Sequence, residues 1–88
     1  MIVKSRKRFL TDLSKIKSYS ILEEVEQIIN VCSTCNSAAE IPGYKTMTGY
    51  PGCARIAFGD YRIGIKLSGK TIIFMCLLHR SIVYKQFP

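Results

Sequence analysis

The sequence has one histidine, His79, and six carboxylate side chains against thirteen lysines and arginines. A single histidine removes most paired ligand sets, because a structural zinc site needs about four His or Cys ligands at paired spacings. Cys32 and Cys35 form a CxxC, but Cys53 and Cys76 stand alone. A thioredoxin-like motif would follow a strand and open a helix, whereas this CxxC falls near the end of a helical pattern. All four cysteines are read as reduced, small apolar side chains, and neither metal nor cofactor is expected.

Long hydrophobic runs are missing as well. The longest, Ile72 to Leu78, is strand-sized and far short of the ~18 residues of a membrane-spanning helix. Residues 1–17 mix basic and apolar side chains without the continuous apolar core of a secretory signal, so export is not indicated and a cytoplasmic chain without membrane contact is expected. What is present is the composition of a globular protein, 48% hydrophobic and 22% charged. Its 88 residues allow one small domain, 1–88.

The net charge of +7 is unevenly placed: residues 1–17 carry +5, residues 18–41 carry −4 with no basic side chain, and residues 42–88 carry +6. That partition describes a polarised field whose positive side can meet phosphates, or a soluble basic surface without a ligand.

Ile2 and Val3 read as a short strand, and Ser5 as the cap of a helix from about Arg6 to Ile16, with Phe9, Leu10, Leu13 and Ile16 at helical spacing. Ser20 and Glu23 have the spacing of a capping box opening a second helix, whose apolar stripe runs Ile21, Val25, Ile28, Cys32, Cys35. Pro42-Gly43 ends the helical part. The period then becomes two. Cys53–Phe58, Tyr61–Leu67 and Thr71–Leu78 read as strands joined at Gly59-Asp60 and Ser68-Gly69, with a weaker strand signal at Lys45–Thr48. The last strand alternates Ile72, Phe74, Cys76, Leu78 against Ile73, Met75, Leu77, so both of its faces are apolar and it should be central or covered on both sides. The fold class is α+β: a short N-terminal strand, two helices, then an antiparallel C-terminal meander with the helices on one sheet face. The apolar surface of the last strand exceeds what two helices cover, which predicts a partner helix across the remainder, with self-association as the alternative cover.

The meander segment Arg55-Ile56-Ala57-Phe58-Gly59-Asp60-Tyr61-Arg62-Ile63, followed by Leu78-His79-Arg80 and Val83-Tyr84, resembles the RelE/ParE superfamily of toxins. Members of that superfamily commonly read Tyr-Arg-Ile-Arg-x-Gly-Asp-Tyr-Arg-Ile, a hydrophobic strand, then His-Arg-x-x-x-Tyr. The resemblance extends to Lys7-Arg8-Phe9-Leu10-Thr11-Asp12-Leu13 and so spans nearly the whole chain. It implies a toxin neutralised by a cognate antitoxin in a hetero-oligomer and, in the RelE branch, a ribosome-dependent endoribonuclease that cuts mRNA by metal-independent attack of the ribose 2′-hydroxyl on its neighbouring phosphate.

By the same resemblance Arg62 holds the scissile phosphate and Arg55 adds a first basic position. Arg80 stabilises the transition state or the leaving group, and Tyr84 acts as acid or base. Arginine suits phosphate because its planar fork stays charged and donates two hydrogen bonds; a phenol with an ordinary pKa of ~10 needs help to act as a base. His79 is a candidate proton carrier or a strand-end histidine bonded to backbone. Arg62 has an alternative as the partner of Asp60 or Glu40, and Tyr84 as a cap on the core. Lys7, Arg8, Lys45 and Lys85 extend the basic surface expected to meet RNA.

The sequence departs from the superfamily pattern at Ala54, where relatives usually carry Tyr, and at Ala57, where many carry a second Arg or Lys. Pro88 closes the sequence soon after Tyr84, which argues against the C-terminal helix found in some relatives. Fewer cations would then line the groove, leaving two alternatives: a ParE-like inhibitor of DNA gyrase, or a degenerate toxin that only binds antitoxin or RNA.

Overall fold

The computed structural model describes residues 1–88. Phe9 docks the first helix, α1 (Lys7–Ser14): its ring is buried and meets Phe74 edge-on, with centroids 5.1 Å apart. Leu10, expected on the same stripe, is instead exposed. Ser5 does not cap α1. It ends strand β1 (Ile2–Ser5) opposite Phe74, and the Arg6 N–H continues the ladder by donating to the Phe74 carbonyl at 2.9 Å, so the helix starts only after Arg6. Helix α2 (Tyr19–Thr34) is capped by Ser18, whose Oγ accepts from the Ile21 N–H at 3.4 Å, rather than by Ser20. A capping box closes the 3₁₀ turn Ala38–Glu40, where Glu40 accepts from the Ser37 N–H at 2.8 Å and the Asn36 N–H at 2.9 Å. The first residue docks onto the end of α2, with the Met1 amino group donating to the carbonyls of Cys32, Ser33 and Cys35.

The remaining strands are β2 (Tyr44–Thr46), β3 (Cys53–Phe58), β4 (Tyr61–Ser68) and β5 (Thr71–His79). They form with β1 one sheet in the order β1-β5-β4-β3-β2. The meander β3-β4-β5 is antiparallel as the pattern predicts, and the weak Lys45–Thr48 signal is β2 on the edge. The sheet is nevertheless mixed, because β1 lies parallel to β5. The α1–α2 connection carries the chain across before the meander begins, which leaves β1 running in the direction of β5.

Strict alternation along β5 fails at one place. Gly64 pairs with Cys76 but Ile65 pairs with Phe74, so Met75 is an extra residue in a β-bulge. The bulge exchanges the two faces. Ile72, Phe74 and then Leu77 join the helix-side core with Phe9, Val25, Cys32, Ala54, Ile56, Ile63 and Ile65. Cys76 and Leu78 lie on the opposite face with Cys53, Val83 and Phe87, against which Met47 and Met75 pack. That second cluster also corrects one expectation. The chain does form a C-terminal helical turn, α3 (Val83–Gln86), whose Val83 packs with Cys76 and Leu78 on the second face of β5. Gly64 makes room for it, since a Cβ there would lie 2.7 Å from both the Phe87 ring and the Cys76 sulfur.

Beyond Ser5 the outer edge of β5 has no strand beside it. Asp12 of α1 takes that place: its Oδ2 accepts from the Leu77 N–H at 3.0 Å and lies 3.6 Å from Arg8 Nε. Removing the acceptor in Asp12→Ala leaves the Leu77 N–H unpaired and lowers stability by about 1–3 kcal/mol, whereas Asp12→Asn keeps an acceptor and costs less, as read from urea unfolding. Phe74→Ala opens the Phe9 contact and costs about 3–5 kcal/mol in the same measurement. Burial pushes the Cys32 thiol up to about 11, with the neighbouring Cys35 adding to the shift. The folded chain keeps that proton where the unfolded chain has lost it, so stability is full below the ordinary thiol pKa and declines as pH rises toward 11. A Cys32→Ala variant should show a shallower alkaline decline in stability than the parent.

Candidate functional site

The sheet separates two basic regions. On the face opposite α1 and α2, Lys45 of β2 stands directly across from Arg55 of β3, and Arg55 across from Gly64 of β4. Like charges opposite one another on a sheet are unfavourable in isolation. Their side chains line a hollow of about 440 Å³ together with Thr46, Met47, Thr48, Tyr50, Tyr84, Phe87 and Pro88, and no Asp or Glu lines it. The Arg55 guanidinium is fixed from below: Nη1 donates to the Gly43 carbonyl at 2.6 Å, while Nε is buried without a partner. Tyr84 reaches the hollow because Val83 and Phe87 pin α3 to the sheet. Its ring is 61% exposed, so it does not cap the core.

Arg62 lies on the same sheet face, paired with Ala57 on one side and Leu78 on the other. Its guanidinium turns to the hairpin end, where Nη1 donates to the carbonyls of Gly59 at 2.9 Å and Tyr61 at 2.8 Å, and it does not line the hollow. Neither Asp60 nor Glu40 pairs with it: Asp60 lies 3.5 Å from Arg80 Nε, and Glu40 closes its own turn. Arg62 and Arg80 therefore meet at one turn, Gly59-Asp60, next to the hollow's strands. The Arg80–Asp60 pair is well exposed and correspondingly weak.

His79 is on the other side. It pairs with Tyr61, the rings edge-on at 6.0 Å, and its Nδ1 accepts from the Ser81 N–H at 3.1 Å, which leaves the ring proton on Nε2. It shares with Lys7, Arg8 and Lys15 a cleft of about 710 Å³ between α1 and the end of β5. Arg8 is tethered there by Asp12 and by Gln86 of α3. Lys85, on α3, lines neither the hollow nor the cleft.

Of the residues singled out by sequence, the structure brings together Lys45, Arg55 and Tyr84, sets Arg62 and Arg80 at the adjoining turn, and removes His79, Lys7 and Arg8 to the opposite face. The departure at Ala54 concerns the core and not the groove, since Ala54 is wholly buried on the helix side. Ala57, opposite Arg62, is where a cation is missing. Sequence reasoning missed Tyr50, Thr46 and Thr48; the signal was the Gly49-Tyr50-Pro51-Gly52 turn between two strands. The cysteines do not cluster: Cys32 and Cys35 belong to the helix side, Cys53 and Cys76 to the other, and all four are free thiols.

No family model matches the chain. It is 39% identical over 83 residues, 93% of each sequence, to Toxin RelE3 of Methanocaldococcus jannaschii. Among solved structures, the RelB-RelE antitoxin-toxin complex from Methanococcus jannaschii contains a chain 36% identical to it, with a TM-score of 0.82 and coverage of 97% of this chain and 99% of that one. The archaeal RelE-RelB complex from Pyrococcus horikoshii gives a TM-score of 0.75 at 17% identity, covering 93% and 97% of the two chains. The isolated E. coli RelE toxin gives 0.65 at 15%, covering 89% and 82%, and these last two show the fold alone. On the identity and coverage shared with Toxin RelE3, the chain belongs to the RelE family of toxins.

Proposed function

We propose that residues 1–88 form a single toxin domain that acts in the cytoplasm as a ribosome-dependent endoribonuclease on mRNA and is held inactive by a RelB-type antitoxin in a hetero-oligomer. The observation that carries this reading is the hollow, lined by no Asp or Glu, in which Lys45 and Arg55 stand side by side with Tyr84. Two adjacent cations with no Asp or Glu between them repel each other and attract an anion, and a phosphodiester supplies it. The antitoxin reading rests on kinship: the Methanococcus jannaschii RelE was solved together with RelB. No helix of the chain is long and apolar enough to cross a membrane.

The step needs only proton movements to balance. The 2′-oxygen loses its proton to a base and bonds to phosphorus, the bond from phosphorus to the 5′-oxygen breaks, and that oxygen takes up a proton. Lys45 and Arg55 bind the phosphate and oppose the extra negative charge of the five-coordinate phosphorus. Tyr84, the phenol on α3, is assigned the proton exchange. Arg62 and Arg80 approach from the Gly59-Asp60 turn, Arg80 by giving up its exposed pair with Asp60. Lys7, Arg8, Lys85 and His79 lie outside the hollow and, in this proposal, serve as further RNA contacts. A second reading, a toxin that binds without cutting, draws on Ala57, which leaves one place opposite Arg62 without a cation.

Programmed ribosomes incubated with the protein separate the two readings. Cleavage confined to the codon in the A site is expected, and Arg55→Ala should slow it by about 10²–10³-fold, the usual effect of removing one charge-stabilising donor. Intact mRNA at saturating protein would overturn the nuclease reading. Co-expression with a RelB-type antitoxin should give a stable complex on gel filtration, and separate elution of the two chains would remove the partner.

A further inference from the structure

The hollow has a second component that phosphate binding does not use. We propose that Tyr50 is a stacking platform for an unpaired nucleobase, so that the hollow takes a nucleotide of single-stranded RNA and not a phosphate alone. The inference rests on the reading of the hollow as an RNA site and adds the part that contacts the base.

The loop from β2 to β3 spends much of its sequence on presenting this one ring. Gly49 and Gly52 flank Tyr50-Pro51 with φ of +85° and +81°, a region that favours glycine, and the proline ring fixes its own φ. Both backbone groups of Tyr50 are used: its N–H donates to the Met47 carbonyl at 3.1 Å, and its carbonyl accepts from the Cys53 N–H at 3.0 Å. Met47 N–H to the Cys53 carbonyl, at 3.0 Å, and Leu67 N–H to the Gly52 carbonyl, at 2.8 Å, tie the loop to β3 and β4. The backbone is thus rigidly held while the ring is 53% exposed and belongs to neither apolar cluster.

A rigid aromatic ring beside two cations is the arrangement that binds single strands: the cations track the backbone and the ring stacks on a base whatever its identity. Lys45, Arg55 and Tyr50 line the same hollow. Stacking accounts for both its exposure and its fixed position, and it favours an unpaired strand, because a base inside a duplex has no free face.

The chain has no tryptophan, so Tyr50→Trp introduces a lone reporter. Its fluorescence should be quenched by a short uncleavable single-stranded oligonucleotide and left unchanged by an abasic strand of the same length. Tyr50→Ala should weaken binding of the base-containing strand by about 5- to 100-fold, leave the abasic strand unaffected and keep the parent's melting temperature, while Tyr50→Phe binds as the parent does. Equal affinity of the parent and Tyr50→Ala, equal loss for the abasic strand, or no binding of either strand by the parent would overturn the inference. These measurements involve neither ribosome nor cleavage. A protein that stacks the base but leaves mRNA intact sinks the nuclease reading alone; one that cuts while Tyr50→Ala binds unchanged sinks the stacking platform alone.

Discussion

The bulge at Met75 is the constraint on which the arrangement depends. β5 is apolar on both faces, and in a strand of regular alternation one face would hold Cys76 and Leu78 together with Ile72 and Phe74. The extra residue divides the strand instead. Its first half gives Ile72 and Phe74 to the helix-side core, Leu77 rejoins them, and Cys76 and Leu78 are turned to the other side. Turned away from α1 and α2, those two side chains join Cys53 as the surface on which Val83 and Phe87 pack. The inserted residue thereby decides which side chains of β5 the C-terminal turn, and Tyr84 with it, meets.

The same division sets the electrostatics. The helix side carries the acidic stretch of α2 and the cleft of Lys7, Arg8 and His79; the other side carries Lys45, Arg55 and Arg62 with Asp60 at its rim. A cation on a strand can be spared for a ligand only if its own donors are partly satisfied and nearby carboxylates are engaged elsewhere. Backbone carbonyls meet the first condition, Gly43 for Arg55 and Gly59 with Tyr61 for Arg62. They orient each guanidinium without neutralising it. Glu40 and Asp12, the carboxylates of the turn after α2 and of α1, are both occupied by backbone N–H groups and leave the hollow to the cations.

Much of this was legible in the residues. The meander could be read strand by strand because its runs alternate and its turns were marked at Gly59-Asp60, where the first ladder does reverse, and at Ser68-Gly69, one residue before the actual turn at Gly69-Lys70. Arg55 and Tyr84 were visible through their resemblance to a family pattern. Three things were not. The parallel pairing of β1 with β5 sets Ile2 beside Thr71, near opposite ends of the chain, and no local pattern specifies such a pair. The bulge is invisible because an all-apolar strand looks the same with or without a slip in register. His79 and Arg80 part because β5 ends between them: His79 is its last residue and Arg80 already lies in the turn that follows, so a motif continuous in sequence is divided in space. His79 stays with α1 while Arg80 turns back to Asp60.

The hollow's composition also bears on how a chain this small tolerates a destabilising site. Lys45 and Arg55 face each other on the edge of the sheet, on its shortest strand, where the repulsion falls on β2 and not on the β4–β5 ladder that holds the core. Water reaches an edge strand, so the effective dielectric is high and the repulsion of the empty site is correspondingly small. Under the proposed function a phosphodiester displaces that water, so the same charges act on it at lower dielectric and attract it more strongly. On that proposal, cations at the margin cost little in the free protein and attract strongly in the bound one, an asymmetry that a pair of arginines in the central strands could not supply.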